Sequence, residues 1–414
     1  MRSVRADAPR RSRRPLIRPA VGGVVLAAVV ATGCTDPYVA PTPTPSAGGR
    51  DEDAAAATVA ALGSALAAGD RAGAADLGAN RRAGRRLAAA AGNVVRADMA
   101  DVGVRYLGAS GAPDALGRWT ATMQVTWRYR GFDDGVARRE VEVGLAADSR
   151  SITHVGGGRE ATPLWLARRL VVARGPSHLV LAEGSRAGLG RLARLTRVAA
   201  RQVAAVLGGA PRIVVEAPAS SASLHRALGA DPPLYAEVAA VTAPVDGSLA
   251  ADAPVHVLIN PGVFYPLGEL AAQVVVTHEG VHAVTRAPLA VGAPLWLVEG
   301  FADYVALRDV DLPYRRTAGQ VIERLRADGL PDQLPTQADF TGSAEHLGAQ
   351  YEAAWLACVT IADRKGEEAL VELYRQVLDG RPLEAALRRT TGWSTERLTD
   401  AWRARLAALA GLSE

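Results

Sequence analysis

Val274-Val275-Val276-Thr277-His278-Glu279-Gly280-Val281-His282-Ala283-Val284 is the stretch on which the fold turns. Two histidines stand four residues apart in an apolar run. On a helix that spacing puts both imidazoles on one face, one turn above the other. Two neutral ring nitrogens so placed share one metal ion at about 2.0–2.1 Å. Glu279 follows the first histidine directly, where its carboxylate reaches a metal-bound water without binding the metal. Zinc lowers the pKa of such a water to about 7, so a carboxylate can take its proton at neutral pH. Gly280 inside this helix costs roughly 1 kcal/mol against Ala and allows close packing.

A third ligand is needed. Glu299 lies downstream in Pro294-Leu295-Trp296-Leu297-Val298-Glu299-Gly300-Phe301-Ala302-Asp303-Tyr304-Val305, a second helical pattern entered from Pro294. Leu295, Val298, Ala302 and Val305 make its apolar face, and an acid among them is costly unless paired or metal-bound. Asp303 lies one turn beyond Glu299 on the same side, where a carboxylate accepts the free N–H of a liganding histidine and fixes its tautomer.

With these residues the chain resembles the gluzincin metallopeptidases, in particular the peptidase MA-like group. The matching residues are His278-Glu279-x-x-His282 and Trp296-Leu297-x-Glu299-Gly300-x-Ala302-x-Tyr304, then Tyr351-x-x-Ala354-Trp355 and Thr391-Gly392-Trp393-x-x-Glu396, closing at Trp402. The resemblance spans roughly residues 165–410. It implies Zn2+ held by His278, His282 and Glu299, Glu279 as general base, and Asp303 behind a ligand histidine. It also implies a peptide or protein substrate, laid against a strand that precedes the metal helix; residues 255–260 are the candidate strand. No Gly-rich motif for a free substrate amine stands upstream, so the expectation is not an aminopeptidase. Oxyanion stabilisation asks for a donor facing the developing charge, and Tyr351, His346 and His256 are the candidates. Tyr351 opens a helix whose next residues pack the core, so its hydroxyl can point at the metal; a tyrosine packed at a domain seam is the alternative. His346 reads as surface, and His256, alternating with apolar strand residues, reads as solvent-facing. The competing reading of the whole motif is a non-catalytic cell-surface lipoprotein that keeps a zincin-like scaffold for binding or assembly.

Upstream, Trp119, Ala121, Met123, Val125, Trp127 and Tyr129 alternate with polar residues, a half-buried strand, and Val141, Val143 and Leu145 alternate in a returning one. Residues 51–68 and 71–91 read as Ala-rich helices. A helix pair on a curved antiparallel sheet is similar to NTF2-like cones, with a spacer or interaction role. The fold class is therefore α+β: this module over 51–160, then a mostly helical zincin-like domain with a small sheet over 161–414.

Composition bounds the rest. The 414 residues carry a formal charge of +4, but the first 33 hold seven Arg against one Asp, so the remainder is slightly negative and no nucleic-acid partner is expected. Two cysteines make neither a disulfide framework nor a four-cysteine zinc site. Residues 10–18 are a basic n-region, with a twin-arginine-like Ser12-Arg13-Arg14-Pro15-Leu16-Ile17-Arg18. Residues 20–33 form an apolar run too short to span a bilayer but suited to an export signal. Ala31-Thr32-Gly33-Cys34 resembles a bacterial lipobox, which implies acylation of Cys34. Residues 1–34 are then a signal peptide and 35–50 a Pro/Thr tether, Pro37, Pro41, Pro43 and Pro45 keeping it extended. The expectation is a protein lipid-anchored on the extracytoplasmic face of the cell membrane. Cys358, in an apolar run, reads as a small buried hydrophobe.

Overall fold

The computed structural model describes residues 50–184, 186–231, 235–340 and 346–412, all within one compact unit spanning 48–414. Cys34, the signal and nearly all of the tether lie outside these residues. The chain is a mixture of helices and two sheets.

Asp51 caps α1 (Glu52–Ala68) by accepting from the Ala54 amide, and Gly69 in the left-handed region ends it. The second expected helix is two: α2 (Arg71–Asp76) and α3 (Arg81–Arg96). Residues 77–80 break it because Gly78 bridges to Ile152 while Asn80 recaps the chain, and a Cβ on Gly78 would sit 2.3 Å from the Gly84 amide nitrogen. An antiparallel meander follows, β1 (Met99–Ser110), β2 (Trp119–Tyr129), β3 (Ala137–Leu145) and β4 (Ile152–Val155). The six alternating residues of β2 are all buried, as their period demands. β1 escapes the period-two reading because its register shifts twice against β2.

A short α4 (Leu164–Ala167) leads into a second sheet with strand order β5-β6-β7-β9-β8. Its members are β5 (Leu170–Arg174), β6 (His178–Glu183), β7 (Ile213–Ala217), β8 (Ala240–Pro244) and β9 (Val255–Ile259). Between them run α5 (Leu189–Leu207), closed by Gly208, and α6 (Ser221–Leu228). The two regions share apolar core, since Trp165, Leu170, Leu179, Leu181 and Val214 pack in one cluster with α1, α3 and the first sheet.

From residue 261 the chain is helical: α7 (Pro261–Phe264), α8 (Glu269–Thr285), α9 (Leu295–Leu307), α10 (Tyr314–Thr317) and α11 (Gly319–Asp328). Then come α12 (Leu347–Lys365), α13 (Glu367–Leu378), α14 (Leu383–Thr391) and α15 (Thr395–Ala410). α9 and α12 form the centre of their core, with Phe301 stacked on Tyr374 at 3.9 Å and Trp402 donating to the Ala353 carbonyl. Cys358 is a free, fully buried thiol in this core. Among the described residues, no helix is long and apolar enough to cross a membrane.

Candidate metal centre

Glycine brings the helices of the site close to their neighbours. A Cβ on Gly280 would lie 2.9 Å from Ile213 Cδ1, so α8 beds against β7 between its two histidines. A Cβ on Gly300 would lie 2.4 Å from the Ala354 carbonyl oxygen, so α9 meets the α12 backbone one residue after Glu299. Across α8 and α9 the side chains converge. His278 Nε2 lies 3.0 Å from His282 Nε2 and 3.1 Å from Glu299 Oε2, and His282 Nε2 lies 3.4 Å from the same oxygen. Among the described residues His278, His282 and Glu299 form the one group whose ligand atoms could hold a metal ion, all within 4.8 Å of one another.

The protonation pattern argues for a cation. The Asp303 carboxylate is 2.7 Å from His278 Nδ1, so that nitrogen donates and Nε2 faces inward, where it takes up a proton or a metal ion. Two imidazole nitrogens and a carboxylate oxygen then face one another, an arrangement that needs a proton or a metal ion among them. Burial opposes charge on His278, yet Asp303 and Glu299 hold its pKa well above the ordinary value. Burial likewise opposes charge on Glu299, and the two histidines carry it well below the usual carboxylate range. The set thus attracts one positive charge. A nitrogen–nitrogen–oxygen donor set from two helices fits Zn2+ in a site that leaves a position open. His282 Nδ1 is buried without a partner, so of the two candidate ligand histidines only His278 has its ring oriented by a neighbouring carboxylate.

Glu279 points from the same turn into a cavity of about 270 Å³ lined also by Thr242, His278, His282, Glu299 and Tyr351. Its pKa is raised by burial, with His278, His282 and Thr242 pulling the other way. Thr242 is the residue that the sequence reading missed. Its Oγ1 lies 2.6 Å from Glu279 Oε2 and 3.0 Å from the Glu279 carbonyl oxygen. Tyr351 lines the cavity with its ring centroid 6.4 Å from that of His278, and Phe340 packs edge-on against it. Burial and the carboxylates of Glu299, Asp303 and Glu279 push its pKa up, so the hydroxyl stays a donor.

Two expectations fail on topology. Residues 255–260 do not offer a free strand: β9 is paired on both sides, parallel to β7 and antiparallel to β8. The edge is β8, which ends in Pro244, a residue that edge strands tolerate. Nor does His256 face solvent. It is 0% exposed, with Nδ1 at 2.9 Å from Glu216 Oε1 and Nε2 at 2.9 Å from Asp133 Oδ1. Its strand is covered on both faces, and Asp133 comes from the β2–β3 turn of the first module. His346 is exposed at the start of α12 and does not line the cavity.

Neither a protein-family model nor a curated protein matches this chain. Among solved structures it is similar to a crystal structure of an M1 zinc metallopeptidase mutant from Deinococcus radiodurans, with 15% identity and a TM-score of 0.34. The match covers 69% of this chain and 61% of the other.

Proposed function

We propose that the chain is an exported zinc-dependent peptidase, anchored to the membrane through Cys34, that hydrolyses peptide bonds. The observation that carries this reading is the convergence of His278, His282 and Glu299 with a second, non-ligating carboxylate, Glu279, in one cavity. Zinc bound there supplies Lewis acidity to a carbonyl and acidity to water. The protein's own residues do the rest. His278, His282 and Glu299 hold the ion, and Asp303 orients His278. Glu279 takes a proton from the attacking water on Oε1, the oxygen that Thr242 leaves free, and returns it to the departing amine. Thr242 holds that carboxylate in place. Tyr351 donates its hydroxyl proton toward the developing oxyanion. The open side of β8 offers backbone hydrogen bonds to an extended peptide, beside a wall of Val241, Leu295 and Val298.

The test joins metal content to cleavage. One zinc per chain, chelator-sensitive cleavage of a peptide library, and a loss of about 10²–10⁴-fold in Glu279→Gln with zinc retained support the enzyme. Zinc bound with no cleavage of any peptide supports the scaffold reading. No zinc bound overturns both.

A further inference from the structure

A cavity of about 810 Å³ opens on the first module, far larger than the metal cavity and sharing no residue with it. It lies between the start of α3, the β1–β2 hairpin and β4. Arg82, Arg86 and Arg118 line it, with one acid, Asp114. Asp114 is already committed: it accepts from Arg118 Nε at 2.8 Å and from the amides of Leu116 and Arg118. Arg82 and Arg86 have no carboxylate partner among the described residues. Burial, together with the guanidinium groups of Arg82, Arg168 and Arg226, holds the Arg86 pKa below its ordinary value.

The placement of these arginines is costly. Arg81, Arg82, Arg85 and Arg86 occupy the first turns of a 16-residue helix that has no acid in its first turn. The dipole favours anions at that end. Arg81 with Arg85 and Arg82 with Arg86 are like charges at i,i+4, which repel each other. Asn80 caps this helix, but among the described residues none of the four arginines has a carboxylate partner, and a local rule broken in this way marks a candidate functional site. Ser110 and Thr120 add hydroxyls, and the Trp119 ring forms part of the wall.

We propose that this cavity binds a phosphate group. Two guanidinium forks one turn apart match the several oxygens of a phosphate better than a single carboxylate. The phosphate has two sources, the headgroup of an anionic lipid or a soluble phosphate ester. Arg50 donates to the Gly111 carbonyl and stacks 5.9 Å from the Trp119 ring centroid, so the chain enters the domain beside the cavity.

The test uses residues 48–414 with no anchor, so vesicle binding reports the cavity alone. Its probes are vesicles of phosphatidylcholine with and without phosphatidylglycerol, and glycerol phosphate in calorimetry. Binding only to the phosphatidylglycerol vesicles, weakened about tenfold or more in Arg82→Gln/Arg86→Gln, assigns the lipid headgroup. Saturable glycerol phosphate binding lost in the same variant assigns the soluble ester. The paired control Arg315→Gln/Arg316→Gln, on exposed α10, binds like the parent. In low-salt buffer free of phosphate the Arg82/Arg86 variant melts no lower than the parent, because repulsion has been removed. No binding to any probe, equal losses in both double variants, or a lower melting point for the Arg82/Arg86 variant overturns the proposal.

Discussion

Thr242 has one hydroxyl proton and two acceptors, the carboxylate and the carbonyl of Glu279. When it donates to the carboxylate, it orients Oε2 and leaves Oε1 free, the oxygen that the proposed mechanism gives to the water. A hydrogen bond to a charged group is worth about 1.5–3 kcal/mol. Thr242→Val therefore lowers kcat roughly 10- to 100-fold with KM little changed, and Thr242→Ser restores most of it; a drop in KM and kcat together would contradict this role. Asp303 acts on the other side. Asp303→Ala removes the acceptor that fixes the His278 tautomer, and zinc affinity, read by competition with a chromophoric chelator, falls about 10- to 100-fold. His278, His282, Glu299 and Asp303 were legible because spacing along a helix converts directly into a shared face. Thr242 was not, because its contact joins a strand to a helix 37 residues on. Nor was the burial of His256, since alternation along a strand presumes one wet face, and β9 has none.

Helices α8 and α9 carry the candidate ligands, and each beds against a neighbour, α8 on β7 and α9 on α12, through a residue that has no side chain. The 2.4 Å approach of a Gly300 Cβ to the Ala354 carbonyl is a backbone clash, with no flexible group to yield. Gly300→Ala thus forces α9 from α12. Overpacking of this kind costs about 1–3 kcal/mol, measured as a lower urea midpoint, and it displaces Glu299 enough to weaken zinc retention on dialysis. Gly280→Ala meets only the end of Ile213, which can turn, so the loss there is the smaller of the two; the reverse order would contradict this packing. Chain patterns marked α1, α8 and α9, because helical spacing is a short-range signal. They missed β1 and β8, the first kinked by two register shifts and the second five residues long with no alternation.

Across the molecule, one buried imidazole ties the modules together. His256 of β9 is held between Glu216 of β7 and Asp133 of the first sheet's turn. Burial disfavours its charge, but the two carboxylates raise its pKa to about 10. A histidine whose folded pKa lies above its unfolded value, near 6.5, adds stability that is complete below about 6.5 and is lost as pH climbs through about 10. The melting-point gap between the parent and His256→Gln accordingly narrows as pH rises from neutrality to about 10; a gap that widens would refute it.

That tie decides what survives truncation. A fragment beginning at residue 161 would keep His256 and Glu216 but forfeit Asp133, leaving a nitrogen stranded against an apolar wound where Trp165 and Leu181 once had neighbours. Residues 161–414 thus lose both a charge partner and apolar cover when residues 51–160 are cut away.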